Sequence, residues 1–339
     1  MSKKNYNSLD IAKLFMAVCV VAIHTNPLYF CNNTLIVNLY NQIISWAVPF
    51  FFICSGFLIG KRVDFSSDNA YLPVKKSAVK MLKLYVIWSV IYLPPAIAER
   101  LGAGKSFAYN LLHYAKGFII NGEHYNSWIL WYLLSSFYAL ALIAFLVKRR
   151  LSLKKITAIG AALFVCWLLL NALGDYESQL PAAIKKLMPL INATVGRGKP
   201  LQGFLYIPLG MCLAKTKIKV PYCGLVHIVF ALCFALSFFI NTTAGRALMP
   251  FTIAALFGMV VSADLPDSKA YPVMRKLSTG IYFIHLYCWM LVYLVLYGKK
   301  TYGPTAFFAT VLLSAALTGV WIVITAKFKK RKVPNAHAA

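Results

Sequence analysis

Acid is scarce in this chain. Asp and Glu together number nine among 339 residues, against 35 Lys and Arg, and charged residues are only 13% of the total. Soluble domains carry about 25% charged residues, so the composition excludes an ordinary soluble enzyme. Period-two alternation of apolar and polar residues is also missing, which argues against a β-barrel. The eight cysteines form no Cys-x-x-Cys, and no histidine spacing reads as a zinc site. There is no P-loop, no Gly-x-Gly-x-x-Gly and no Gly-x-Ser-x-Gly, so nucleotide-binding and nucleophile-elbow chemistries lose their usual signatures. No internal repeat and no separate soluble domain stands out.

What the chain has instead is length of apolar run. Hydrophobic residues make up 60% of it. At about 20 residues per crossing, spans are expected at 9–31, 40–60, 79–98, 128–147, 155–174, 201–215, 221–240, 247–263, 277–297 and 304–326. The expectation is an all-α, polytopic helical bundle of about ten transmembrane helices. It forms one membrane domain over 1–332 with a short polar tail over 333–339. The first span is not expected to be a cleavable signal peptide, because it lacks a small-residue cleavage site and carries Asp10, Lys13 and His24.

Basic residues cluster at alternate span ends: Lys61–Arg62 with Lys75–Lys83, Lys148–Lys155, Lys215–Lys219, Lys269–Lys276 and Lys327–Lys332. With both termini cytoplasmic, all of these clusters fall inside, as the positive-inside rule requires. The net charge of +26 therefore describes insertion and contact with anionic membrane lipids, not nucleic-acid binding. The longest connections, 99–127 and 175–200, fall on the outer side and are expected to carry a lid or substrate contacts.

Three ionisable residues interrupt the first span. At 100° per residue, Lys13 and His24 project about 20° apart on a helix, and Asp10 about 40° to the other side of His24. One face thus carries all three, with His24 about 16 Å further along the axis than Lys13. Ionisable groups inside a membrane usually face a bundle interior or a polar cavity and mark function. Asp10 and Lys13, three residues apart, also read as an ion pair at the helix mouth. Late in the chain Ser278, Tyr282 and His285 share one helical stripe, which reads either as a site or as a polar seam between helices. Phe50–Phe52 reads as packing, and Ser55-Gly56 as a point of close helix approach.

In order along the chain, these residues resemble the acyltransferase 3 family of integral membrane proteins. The resemblance rests on Asp10, Lys13 and His24 in LDIAKLFMAVCVVAIH, and on Val48-Pro49-Phe50-Phe51-Phe52-Ile53-Cys54-Ser55-Gly56-Phe57. It continues through Leu130-Trp131-Tyr132-Leu133, Arg197 with Pro208-Leu209-Gly210, and Ser278, Tyr282 and His285. Two positions depart from the common pattern: Lys13 stands where many members have Arg, and Ile129 where many have His. His124, five residues upstream of Ile129, reads as an outer-loop residue. The pattern is similar to the branch of sugar O-acetylases and of membrane domains fused to amino-acid racemases.

The resemblance implies a plasma-membrane O-acyltransferase. It would move an acyl group, acetyl above all, from acetyl-CoA or another acyl-CoA to a hydroxyl of a cell-surface glycan or lipid-linked sugar. No metal is expected. Implied roles are His24, Asp10 and His285 in catalysis, Lys13 and Arg197 on the donor, and Tyr282, Ser278 and Trp131 on the acceptor. Imidazole suits the base or acyl-carrier role because it titrates near neutrality. Asp10 lies about 20 Å from His24 along one helix, too far for a direct partner. A carrier of a small polar molecule is the alternative reading, although symmetric halves, common in carriers, are not evident.

Overall fold

The computed structural model describes residues 6–101, 104, 106–124, 126–194, 198–216, 223–240 and 243–331. Regular structure among these residues is helical throughout. In chain order the helices are α1 Asn7–Thr25, α2 Thr34–Ser45, α3 Ala47–Gly60, α4 Tyr71–Ile91, α5 Leu93–Leu101, α6 Phe107–Lys116 and α7 Trp131–Lys148. They continue with α8 Leu153–Asp175, α9 Ala182–Thr194, α10 Gly203–Lys215, α11 Cys223–Phe239, α12 Thr243–Ser262, α13 Ala270–Tyr297 and α14 Pro304–Arg331.

Among the described residues, seven helical stretches are long and apolar enough to cross a membrane, or eight if α4 and α5 form one span bent by 48°. Pro94 and Pro95 explain the bend, since neither ring nitrogen can donate to the preceding turn. All ten expected segments carry helix. Those at 201–215 and 221–240 fall short of the crossing length, because α10 has 13 residues and α11 has 17. At 1.5 Å per residue these reach roughly 20 and 25 Å of a core about 30 Å thick. Both long connections hold short helices: α6 and a π turn over Gly117–Asn121 in the first, α9 in the second. The chain is a multi-pass membrane protein.

The chain packs as two compact units, Met1–Ala47 with Ala263–Ala339, and Val48–Ser262. In the first, α13 lies along α1, α14 covers both, and α2 folds back on α1. Asp10 meets Arg275 near the start of the two helices and His24 meets His285 further on, so α1 and α13 run parallel. Both end on a left-handed residue, Asn26 after α1 and Gly298 after α13, and the backbone N–H of Asn26 donates to Ala22 O at 2.9 Å. Such caps satisfy carbonyls that a helix end would otherwise orphan.

In the second unit α10 is the centre, packed on α7, α8 and α12. Glycine makes this possible. A Cβ on Gly56 would overlap the carbonyl oxygen of Ile207, one on Gly210 that of Ile53, and one on Gly160 that of Phe204. Gly56 and Gly60 form a Gly-x-x-x-Gly face on α3 that lets the α10 backbone come close, the usual packing device where lipid removes the hydrophobic drive. Phe50 and Phe52 are fully buried, Phe50 against Phe257 and Phe52 against Trp131, Tyr132 and Tyr206, so that run is packing as expected.

Candidate active site

The parallel pair α1 and α13 carries the polar groups. On α13, Arg275, Ser278, Tyr282, His285 and Trp289 follow one another at steps of three or four, so they share a single face. Ser278, Tyr282, His285 and Trp289 are buried.

At one end, Arg275 donates from Nε to Asp10 Oδ1 at 2.8 Å and from Nη2 to Asp10 Oδ2 at 2.7 Å. This fork-on-carboxylate geometry is the strong form of the pair. Asp10 is 2% exposed and Arg275 about half exposed, so a buried carboxylate is neutralised by a cation reaching in from the surface. Asp10 therefore pairs with Arg275 and not with Lys13. Half-buried Lys13 forms no ion pair among the described residues. Beside Arg275 a cavity of about 370 Å³ is lined by Asn7, Asp267, Ser268, Lys269, Tyr271 and Pro272. Asn7 spans its wall, donating from Nδ2 to Asp267 Oδ1 at 2.9 Å and to Leu265 O at 3.2 Å.

Further along, the rings of His24 and His285 lie 5.3 Å apart, tilted by 33°. His285 is fully buried. Its Nδ1 sits 2.8 Å from Tyr282 O and 3.0 Å from Ile281 O. Carbonyls only accept, so Nδ1 carries the proton and Nε2 carries the lone pair. Nε2 is buried and hydrogen-bonds to nothing among the described residues. A histidine whose Nδ1–H is tied to backbone is fixed in ring orientation and tautomer, with a basic nitrogen left over. His24 is half-buried, near the end of α1, and is the more accessible of the two imidazoles.

Of the expected site residues, six therefore fall on the parallel pair: Asp10, Lys13, His24, Ser278, Tyr282 and His285. Within it they divide, Asp10 with Arg275 at one end and the two histidines together further on. Ser278 Oγ is spent on the local carbonyl of Arg275 at 3.1 Å. The carbonyl of Tyr282 orients His285. Trp131 belongs to the other unit, half-buried against Phe52. Arg197 lies outside the described residues. Among the described residues no group of three His, Cys, Asp or Glu is placed to hold a metal ion.

Sequence reasoning missed Arg275, because its partner is 265 residues away. The available signal was its place three residues before Ser278 on the same stripe. His124 lies in a connection, as expected, but it is 1% exposed, ringed by Tyr85, Tyr114 and Phe118. Burial lowers its pKa to about 4. An aromatic cage of this kind, built from α4, α6 and the π turn that follows α6, has no local sequence signature.

A family model described as an acyltransferase domain matches residues 6–325. Two proteins of Enterococcus faecalis, each named an amino-acid racemase, are similar to parts of the chain. One is 29% identical over 213 residues, which is 62% of this chain and 29% of that protein. The other is 27% identical over 146 residues, 43% of this chain and 19% of that protein. The chain thus spans less than a third of the length of these relatives. No solved structure matches it significantly. With the polar helix pair and nearly the whole length inside the match, the chain belongs to the acyltransferase 3 family of integral membrane proteins.

Proposed function

We propose that this protein, in the plasma membrane, moves an acyl group, acetyl above all, from an acyl-CoA to a hydroxyl of a cell-surface glycan or lipid-linked sugar. The observation that carries the reading is the imidazole pair, His24 beside His285, with His285 Nε2 buried and its lone pair uncommitted.

In the step proposed, the acceptor oxygen attacks the thioester carbonyl while His24 takes the hydroxyl proton. The C–O bond forms, the tetrahedral intermediate collapses, the C–S bond breaks, and the imidazolium returns its proton to the departing thiolate of coenzyme A. Such a positioned base contributes roughly 10²–10⁴ in rate. The His285 ring, locked by its Nδ1–H, lies 5.3 Å from the His24 ring between centroids, and its lone pair is proposed to favour the imidazolium that forms. The carbonyl of Tyr282 holds that ring in place, and the side chains of Tyr282 and Ser278 keep the acceptor contacts that the family resemblance implies. At the other end Asp10 engages Arg275, which leaves Lys13 to meet the phosphates of the donor. Arg197 and Trp131 keep the donor and acceptor contacts assigned to them by the family resemblance.

The test is mass spectrometry of surface glycans and lipids from cells with the gene, without it, and with His24→Ala. An acyl mass present only with the wild-type gene is the expected result. Identical acylation in all three refutes the reading and favours a carrier.

A further inference from the structure

Beyond the two histidines, the loops that follow α1 and α13 are built onto each other. The backbone N–H of Gly303 donates to Thr25 O at 2.9 Å, directly after His24. Tyr29 and Tyr302 stack with ring centroids 5.3 Å apart and planes 21° from parallel. Phe30 meets Tyr29 edge-on at 5.1 Å, and Trp289 meets Tyr302 at 5.5 Å. Trp289 Nε1–H donates to Thr301 O at 3.0 Å. Lys300 Nζ lies over both Trp289 and Tyr302, 5.1 and 5.8 Å from their ring centres. Gly303 has φ +113°, and a Cβ there would come 3.0 Å from the Phe30 ring, so only glycine lets the loops close.

The result is a run of rings held in place by neighbours yet open to the surroundings: Tyr29 is 57% exposed and Phe30 72%. Trp289 follows His285 by four residues, one turn or about 6 Å along α13. Interfacial aromatic belts place rings along span ends as lipid anchors. They do not require two loops from distant parts of the chain to interlock their rings above a polar pair. Charge adds a second clue. The loop residues 26–33 and 298–303 include Lys299 and Lys300 and contain no Asp or Glu.

We propose that this aromatic floor is an acceptor subsite for an anionic sugar. The C–H face of a pyranose ring stacks on the open side of Tyr29, whose other side is backed by Tyr302, and a carboxylate or phosphate on the sugar meets the ammonium groups of Lys299 and Lys300. This rests on the acyl-transfer reading for its purpose, since a sugar seated here presents a hydroxyl to the histidine pair one turn below. The π-face of Tyr29 suits the weakly positive C–H edges of the sugar, and the cation held over the neighbouring Trp289 and Tyr302 rings adds charge while leaving Tyr29 open. Hydroxyls on the far edge stay hydrated, which keeps the subsite compatible with a long glycan running off it.

The experiment is binding without donor. Wild-type full chain in nanodiscs is titrated with galacturonic-acid trimer, maltotriose phosphate and maltotriose, and saturation transfer from protein to sugar is read by NMR. Both anionic probes are expected to bind about tenfold more tightly than maltotriose, a difference of the size one good charge contact supplies. The tighter of the two identifies carboxylate or phosphate as the natural group. Tyr29→Ala is expected to weaken the anionic probes about tenfold, Tyr29→Phe to keep them within about twofold, and Lys300→Gln to reduce their advantage over maltotriose. Equal binding of all three probes, no binding to wild type, or wild-type binding in Tyr29→Ala overturns the proposal. An interfacial anchor shows itself as lower thermal stability in Tyr29→Ala with binding unchanged. Because no donor is present, failure of acyl transfer leaves this result intact, and failure of binding leaves acyl transfer to be judged separately.

Discussion

His285 shows how much a single hydrogen bond fixes. Its Nδ1–H is held by two carbonyls of its own helix, so the tautomer is set and Nε2 is left basic. His24 has the access that His285 lacks. His24→Ala should therefore abolish transfer, with a loss of roughly 10²–10⁴ in rate for the missing base. Membrane insertion should stay normal, since removing one imidazole does not make a span less hydrophobic. His285→Ala should cost less, and mainly in kcat, because it removes support for the imidazolium and leaves the base itself. Near wild-type turnover in intact His24→Ala protein would defeat the assignment. His124 makes a different prediction. Burial depresses its pKa to about 4 from an ordinary value of 6.5, so the unfolded chain binds the extra proton first. Its contribution to stability is complete above about pH 6.5 and is lost progressively as pH falls toward 4. Thermal unfolding in nanodiscs between pH 7 and 4 should show that slope, and His124→Phe should flatten it; an unchanged slope in the variant would remove His124 as its source.

Two contacts between helices set the architecture, one polar and one made by absence of side chain. The Asp10–Arg275 pair fastens α1 to α13 in parallel. Arg275→Ala leaves a buried carboxylate alone, which for fully buried pairs costs about 3–5 kcal/mol; the half-exposed Arg275 puts this pair toward the lower figure. Asp10→Asn with Arg275→Gln should be milder than the sum of the single changes, and simple additivity in denaturation midpoints would show that the pair is not coupled. In the other unit, Gly56→Ala or Gly210→Ala pushes a methyl into the backbone of the facing helix and should cost about 1–3 kcal/mol or force the helices apart. Gly319→Ala on α14 meets nothing within 4 Å and is the matched control, expected to be neutral or slightly stabilising. Equal stability of the three variants would mean that the α3–α10 approach is not close in the membrane.

Helix type, the approximate place of every apolar segment and the stripe bearing His24 could all be read from the sequence, because a membrane imposes length and period on each span separately. The resemblance named His24 and His285 separately, and their pairing was not legible, since the two lie 261 residues apart. The partner of Asp10 was not legible, since a contact over 265 residues leaves no local pattern and Lys13 offered a nearer candidate. The segment expected at 201–215 matches α10 to within two residues, Leu201 and Gln202 ending a 3-10 turn that runs into the helix. The direction of α13 now bears on topology. Helices α1 and α13 run parallel, so the number of crossings from one to the other must return the chain to the starting side. Eight spans, with α4 and α5 as one bent crossing, satisfy this, and so do the ten read from the sequence; seven do not. Both surviving counts are even and would put the start of α1 and the end of α14 on one side, the side the basic clusters lead one to expect as cytoplasmic. Reporter fusions after residue 150 and after residue 269 should therefore read cytoplasmic, and fusions after residue 300 external. The counts of eight and ten part at residue 217, between α10 and α11. There ten spans require a cytoplasmic signal after one short crossing, α10, whose last residue reaches the connection after α3 by donating from Lys215 Nζ to Val63 O at 2.7 Å, whereas eight spans have no crossing at α10. A cytoplasmic signal at 217 is therefore the expected result, with α10 and α11 as the two short crossings; an external signal there with a cytoplasmic one at 269 would select eight spans and would separate Lys215 from Val63 in the membrane. A cytoplasmic signal at 300 would overturn both counts and with them the parallel pairing of the two histidine-bearing helices.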